Sequence, residues 1–564
     1  MNGAPRTFDV AYRLGLQYGQ AGKFEEAERL MGEAAALNPV SILAHFARGY
    51  ALQQLGRHLE AVECLDAVLR LRADFPEALL NRAASLFSLR RYSDASDDYR
   101  RLLALVPDYP FARGNLLFSN LHCCDWSGLE AETRAIAAAL HENKPVIAPF
   151  DGKALGFAPE EELHAARIWV ASQCPPVSLA LWQGEIYRHE RIKIAYVAQD
   201  LPGHPAGPLL AGVVAAHTST KFETIAISFG PDSANDLRAL LEQKFDRYIE
   251  IRNESDLEVA TRLRQMEVDI AIDLMGFTQG GRPGIFAHRP APVQVNYLGY
   301  PGTMGASTMD YLIADRIVVP SEDEPHVAEK VVTLPDTFFP GARAPAIAAA
   351  SNRTQAGLPE SAFVFCALNN VYKITPTMFA IWMRLLEATP GSVLWLTRTN
   401  ETGARNLTRE AQAHGVDPAR LIFAPFIESR EAHLARLALA DLFLDTLPYN
   451  AHATANDALA AGVPVLTCRG SAFAGRVAAS LLAAVGLPEL VMDSLEAYEA
   501  RALQLARDPA ALAAVKAKLT RTSETCALFD TARFTRHLEA SYEQMTARAR
   551  RREPPEFFAV MPVP

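Results

Sequence analysis

The chain has 564 residues, 49% of them hydrophobic and 21% charged, with a formal net charge of −10. That length is more than one hydrophobic core serves and predicts roughly three to four domains. The acidic balance leaves no basic footprint for nucleic acid, no apolar run is long enough to span a membrane, and no signal-peptide layout opens the chain, so a cytoplasmic protein is expected. The seven cysteines, Cys64, Cys123, Cys124, Cys174, Cys366, Cys468 and Cys526, are odd in number and lack CxxC spacing. They read as reduced, mostly buried thiols rather than a disulfide framework or a zinc site.

From the start of the chain, Ala27, Ala61 and Ala95 recur every 34 residues, and their neighbours recur with them: Gly15, Gly49 and Ala83; Gly22, Gly56 and Arg90; Leu37, Leu71 and Leu105. Small residues at helix-crossing positions with this period are the tetratricopeptide pattern. Each unit is a helical hairpin too thin to bury its own apolar face, so copies must stack into a solenoid whose groove usually holds protein. Three repeats span residues 7–109, and residues 110–122 read as a degenerate fourth start ahead of Trp126. A Pro- and Gly-marked stretch near 145–158 leads to a helix over 159–173, and CPPVSLALWQ reads as a linker.

At residue 191 the pattern changes. Strand-like runs at RIKIAYVAQD, 224–229 and 268–274 alternate with helical segments at 233–243 and 256–266. A second series runs through 363–368, 392–398, 420–425, 440–446 and 463–467, after a Pro- and Ala-rich joint at 335–350. Alternation of this kind predicts two parallel, doubly wound sheets, with ligands bound beyond the carboxyl ends of the strands and a site in the cleft between the modules. The apolar stretch 478–485 is too short to cross a membrane and reads as a buried helix.

Four segments stand where such a site would form. His204, in the tight turn Asp200-Leu-Pro-Gly-His204-Pro205, follows the first strand and is placed as a proton carrier or polar contact. Gly299, Gly302 and Gly305, with Pro301, make a loop whose backbone can approach a ligand closely. Lys373, in Asn369-Asn370-Val371-Tyr372-Lys373, follows the first strand of the second series and is placed to neutralise a phosphate. Tyr449 to Asp457 opens a helix whose free N–H groups suit a diphosphate, with Asp457 in reach of a ribose; read structurally, Thr454 and Asp457 are helix caps. Glu322-Asp323-Glu324 reads as a solvated acidic turn rather than a metal-binding pair, and no GxxxxGK[ST] phosphate loop is present.

At these segments the sequence resembles the O-linked N-acetylglucosamine transferases, glycosyltransferase family 41, in a bacterial version. The likeness rests on the repeats, CysAspTrp at 124–126, HisPro at 204–205, LeuGlyTyrProGlyThr at 298–303, TyrLys at 372–373, His452 to Asp457, and ArgValAlaAlaSer at 476–480. It implies a GT-B fold and an inverting transfer of N-acetylglucosamine from UDP-N-acetylglucosamine to serine or threonine hydroxyls of proteins, with no metal or other cofactor. Carried over by position, Lys373 pairs with the donor diphosphate, and His433 and His452 contact the uridine end. Arg430 stands for the family's lysine near the uracil, Thr454 meets the phosphates and Asp457 binds the ribose. His204 matches a histidine proposed in the family as general base. The substrate-binding set is completed by Leu298, Gly299, Pro301, Asn370 and Ala453. Asn370 replaces a glutamine and Ala453 a threonine of the eukaryotic enzymes, and Gly203 to Pro208 departs from their AsnHisProThrSerHis.

The expected organisation is an all-α solenoid over 1–125, a helical linker over 126–186, and two Rossmann-like modules over 187–345 and 346–564, the second binding UDP and carrying C-terminal helices. The partners expected are a UDP-sugar and a protein or peptide guided by the repeat groove toward His204. Two other readings are an asparagine-linked hexosyltransferase of the same family and a non-catalytic scaffold that senses UDP-sugar.

Overall fold

The computed structural model describes residues 7–199, 206–230, 236–343, 352–427 and 429–563. They fall into two compact units, one of residues up to 147 together with 399–407, the other of residues 148–398 and 408–563.

In the first unit the repeats form three helical hairpins. Their first helices are Phe8–Gln20, Ile42–Gln54 and Pro76–Ser88, and their second helices are Phe24–Leu37, His58–Leu71 and Tyr92–Leu105. The recurring alanines lie at the crossings, Ala27 at 2% exposure and Ala61 and Ala95 at 0%. Gly15 and Gly49 admit a neighbouring helix closely: a Cβ there would sit 3.0 Å from Met31 Cε and Leu65 Cγ respectively. Helices Ala112–His122 and Leu129–His141 continue the stack. Asn400 Nδ2 donates to His122 O (2.7 Å) and Asn406 Nδ2 to Cys123 O (2.9 Å), which groups residues 399–407 with this unit.

Each hairpin turns through a left-handed residue, Gly22 and Gly56 at φ 72° but Arg90 at φ 60°. A side chain disfavours that conformation, whereas glycine adopts it freely. Arg90→Gly is therefore expected to raise stability by about 0.5–1 kcal/mol, read as a higher denaturation midpoint with an unchanged slope.

The second unit holds fourteen described strands: β1 (Ile192–Ala198), β2 (Phe222–Ser228), β3 (Arg247–Glu250), β4 (Ile270–Asp273), β5 (Val293–Asn296), β6 (Tyr311–Asp315), β7 (Lys330–Leu334), β8 (Val364–Ala367), β9 (Val393–Thr397), β10 (Leu421–Ala424), β11 (Leu442–Leu444), β12 (Val465–Cys468), β13 (Val491–Met492) and β14 (Phe558–Ala559). They build two sheets ordered β14-β7-β6-β5-β4-β1-β2-β3 and β10-β9-β8-β11-β12-β13. Every pairing is parallel, and strands such as β4, β5, β6 and β8 are buried along their whole length, as a sheet covered on both faces requires. The order reverses between β1 and β4 in one sheet and between β8 and β11 in the other; those are the switch points where ligands bind. The predicted architecture, a helical repeat region followed by two doubly wound modules, is the one observed.

The sheets are tied together within this unit. Ser480 Oγ donates to Asp315 Oδ2 (2.6 Å) and lies 2.8 Å from Thr337 Oγ1, all three buried. Helix Thr531–Arg550 packs back on the first sheet, where Thr218 N donates to Glu539 Oε1 (2.6 Å), and β14 pairs with β7. The C-terminal end of the range 346–564 thus belongs by packing to the first sheet. Helix Val477–Val485 is buried as predicted, and all seven cysteines are free thiols. Among the described residues no helix is long and apolar enough to cross a membrane.

Candidate functional site

The second switch point gathers most of the residues singled out in the sequence. Beyond β8 the chain enters a short turn, Val371–Lys373, that buries Lys373. Its Nζ donates to Asn450 O (2.8 Å) and stands 3.7 Å from the centre of the Tyr449 ring. Burial pushes this ammonium down to about 7, against the pull of Asp445. Asn370, by contrast, is exposed.

Beyond β11, the turn is fastened from inside by Asp445, 1% exposed. Its Oδ1 accepts from Thr446 N (2.8 Å) and Ala451 N (2.6 Å), and its Oδ2 from Thr467 Oγ1 (2.6 Å). Burial raises Asp445 to about 6 despite those donors. Asn450 Nδ2 donates to Thr446 O (2.8 Å), so the carbonyl that receives Lys373 belongs to a fixed backbone.

Helix Ala453–Ala460 follows, with His452 at its N-cap position and no side chain capping it. The capping role read structurally for Thr454 and Asp457 is therefore not taken up. The first turn, Ala453 and Thr454 included, keeps N–H groups for an incoming anion. His452 Nε2 lies 3.1 Å from Ala474 O; a carbonyl only accepts, so Nε2 carries the proton and Nδ1 is left as an acceptor in the neutral ring. Burial and the charges of Lys373 and Lys153 hold His452 well below the usual imidazole range.

On the β10 side, Arg430 Nη2 donates to Asp457 Oδ1 (3.0 Å), so Asp457 is ion-paired before any ribose reaches it. Arg436 Nη2 donates to His433 Nδ1 (3.1 Å), and Arg436 also bonds Pro425 O. Burial, with the charges of Arg436 and Arg430, lowers His433 to about 4, so this ring is neutral with its proton on Nε2.

The first module supplies the Leu298–Gly305 loop. Leu298 takes φ 69°, and a Cβ on Gly299 would fall 1.8 Å from Leu274 O, so the glycine is required by close approach. The loop is pinned by buried Glu329, which accepts from Thr303 Oγ1 (2.6 Å) and Met304 N (2.7 Å), while Asn296 Nδ2 donates to Gly302 O (2.8 Å). Pro301 lies on the same loop. His204 lies outside the described residues.

One stretch of the site had no functional role in the sequence reading. Residues 149–162, read as part of a helical linker, enter the site: the Phe150 ring packs against Tyr372 (6.3 Å) and Tyr449 (6.2 Å), and Lys153 and Glu162 form a buried ion pair. Lys153, beside Asp151 in an otherwise apolar run bearing Gly152 and Gly156, was the available signal. The structure also corrects the acidic turn. Asp323 is not solvated but pairs with Arg476 (2.5 Å), and Glu324 pairs with Arg316 (2.5 Å). Arg476 and Ser480 of the ArgValAlaAlaSer segment thus both join the modules. Among the described residues no group of three or more His, Cys, Asp or Glu side chains is arranged to hold a metal.

The family model described as glycosyl transferase family 41 matches residues 177–348 and 340–538, and a tetratricopeptide model matches 12–63 and 46–110. Among curated proteins, a probable UDP-N-acetylglucosamine–peptide N-acetylglucosaminyltransferase of Arabidopsis thaliana is 34% identical over 370 residues, 63% of this chain and 37% of that protein. The UDP-N-acetylglucosamine–peptide N-acetylglucosaminyltransferase of Caenorhabditis elegans is 25% identical over 559 residues, 75% of this chain and 48% of that protein. The chain therefore spans less than half the length of these relatives. Among solved structures, a lysine-to-methionine variant of the Thermobaculum terrenum O-GlcNAc transferase superposes with a TM-score of 0.71 at 26% identity, covering 97% of this chain and 98% of that one.

Proposed function

From the premise that this chain belongs to glycosyl transferase family 41, we propose that it moves N-acetylglucosamine from UDP-N-acetylglucosamine to serine or threonine hydroxyls of proteins, by inversion and without a metal. The observation that carries this reading is Lys373, buried at the second switch point beside the uncapped helix Ala453–Ala460. An acceptor hydroxyl attacks the anomeric carbon opposite the diphosphate, and the bond to UDP breaks as negative charge gathers on the β-phosphate. Groups fixed in advance stabilise that charge best. Lys373 and the N–H groups of Ala453 and Thr454 meet it, so no cation is called for. Arg430, His433 and Asp457 hold the nucleoside, with Asp457 passing from Arg430 to the ribose. The loop of Leu298, Gly299 and Pro301 closes the sugar side, His204 takes the hydroxyl proton, and the repeats hold the acceptor polypeptide.

The test is incubation with UDP-N-acetylglucosamine and UDP-glucose, in chelator, over a peptide library, followed by mass spectrometry of the linkage. N-acetylhexosamine on serine or threonine, made in chelator, is the expected result. Hexose on asparagine would replace this reading with the other activity of the family, and binding of UDP-sugar without turnover would make the protein a scaffold.

A further inference from the structure

The second unit contains a buried ion pair that the reaction above does not use. Lys153 Nζ lies 2.5 Å from Glu162 Oε2, with the two side chains 0% and 9% exposed. Burying two charges is costly even when they pair, so a fold that does this within residues 149–162 holds the charges for a reason beyond packing. Their surroundings supply one. Lys153 Nζ stands 4.9 Å from the centre of the Tyr300 ring, and a Cβ on Gly302 would fall 2.3 Å from Nζ and 3.6 Å from Glu162 Oε2. The pair therefore rests directly on the backbone of the Leu298–Gly305 loop. On its other side, Phe150 packs on Tyr372 and Tyr449, and Gly156, at φ 74°, meets Pro448: a Cβ there would be 3.2 Å from Pro448 Cβ. Residues 149–162 thus touch the first module at Tyr300 and Gly302 and the second at Tyr372, Pro448 and Tyr449.

We propose that Lys153 and Glu162 are positioning residues for transfer: the pair holds the sugar-side loop of the first module in register with the turn that carries Tyr449 and His452. The inference rests on the activity assigned above.

The experiment compares the full chain with Lys153→Met/Glu162→Gln, which removes both charges at nearly constant volume. The expected result is a melting temperature within a few degrees of the parent and a UDP Kd within about threefold. Turnover falls at least about tenfold, as small misplacements of reacting groups produce, with little change in donor KM. A folded variant with turnover within twofold overturns the proposal. Should the double variant fail to fold, Glu162→Gln decides: it keeps the side chain's shape without its charge, so turnover falls with donor KM little changed, and turnover within twofold overturns the proposal. Absence of UDP binding by the parent chain is a separate outcome that removes the assigned activity itself.

Discussion

Lys373→Met is expected to lower turnover by roughly 100- to 1,000-fold, the loss seen when one preorganised charge-stabilising donor is removed from a transition state. Methionine keeps most of the buried volume, so the loss will appear in kcat rather than in folding. UDP should still bind, with Kd raised no more than about tenfold, because the nucleoside is assigned to Arg430, His433 and Asp457 rather than to Lys373. Near-normal turnover in this variant would remove Lys373 from the leaving-group role. A pH series sharpens the test. The lysine of the free site is held near pH 7 by burial, so it is mostly charged below that pH and mostly neutral above it. A bound diphosphate restores the charge, and above pH 7 binding must draw a proton from solvent. Relative to Lys373→Met, which cancels the titration of the UDP phosphate itself, UDP affinity in the parent chain is therefore expected to fall as pH rises through 7 and to settle at the level of that variant. Calorimetry in buffers of different ionisation enthalpy would register the proton taken up.

Glu329→Ala is expected to cost roughly 3–5 kcal/mol, since each buried donor left without an acceptor costs about 1–3 kcal/mol. The carboxylate is 1% exposed and receives Thr303 Oγ1 and Met304 N, with Asn296 Nδ2 at 3.4 Å. Glu329→Gln keeps the shape but turns an NH2 group toward one of those donors, and should cost about half as much. Denaturant midpoints check both values. If the loop is held as the structure has it, Glu329→Gln will also slow transfer while leaving UDP binding on the second module unaffected. A change in UDP affinity equal to the change in turnover would contradict that division of labour.

The repeats were legible because helix-crossing positions demand small residues, and Ala27, Ala61 and Ala95 announce them in any context. The gathering of Lys373 and the His452–Asp457 run at the second switch point was legible because both follow strand ends, where a parallel sheet leaves backbone groups free. What escaped was whatever depended on distant partners. Strands β3, β5, β6 and β7 are only four or five residues long, and short runs such as RYIE or VQVN carry no period of their own. Asp323 was read as solvated because its neighbours in sequence are acidic and proline-flanked; Arg476, 153 positions away, decides otherwise. Lys153 lay in a stretch taken for a linker, and only Glu162, Tyr300 and Gly302 give it meaning.

The pairing of β14 with β7 has a consequence for the order in which the protein can be made. β7 leaves the ribosome long before its partner exists, after six of its seven sister strands. Until β14 arrives, the nascent first sheet displays an open edge of unpaired backbone groups, the kind of edge that recruits other chains. The second sheet has no such debt to the C-terminus, because β13 closes it earlier in the sequence. Vectorial synthesis therefore completes the second sheet before the first, reversing the usual N-to-C sequence of domain folding.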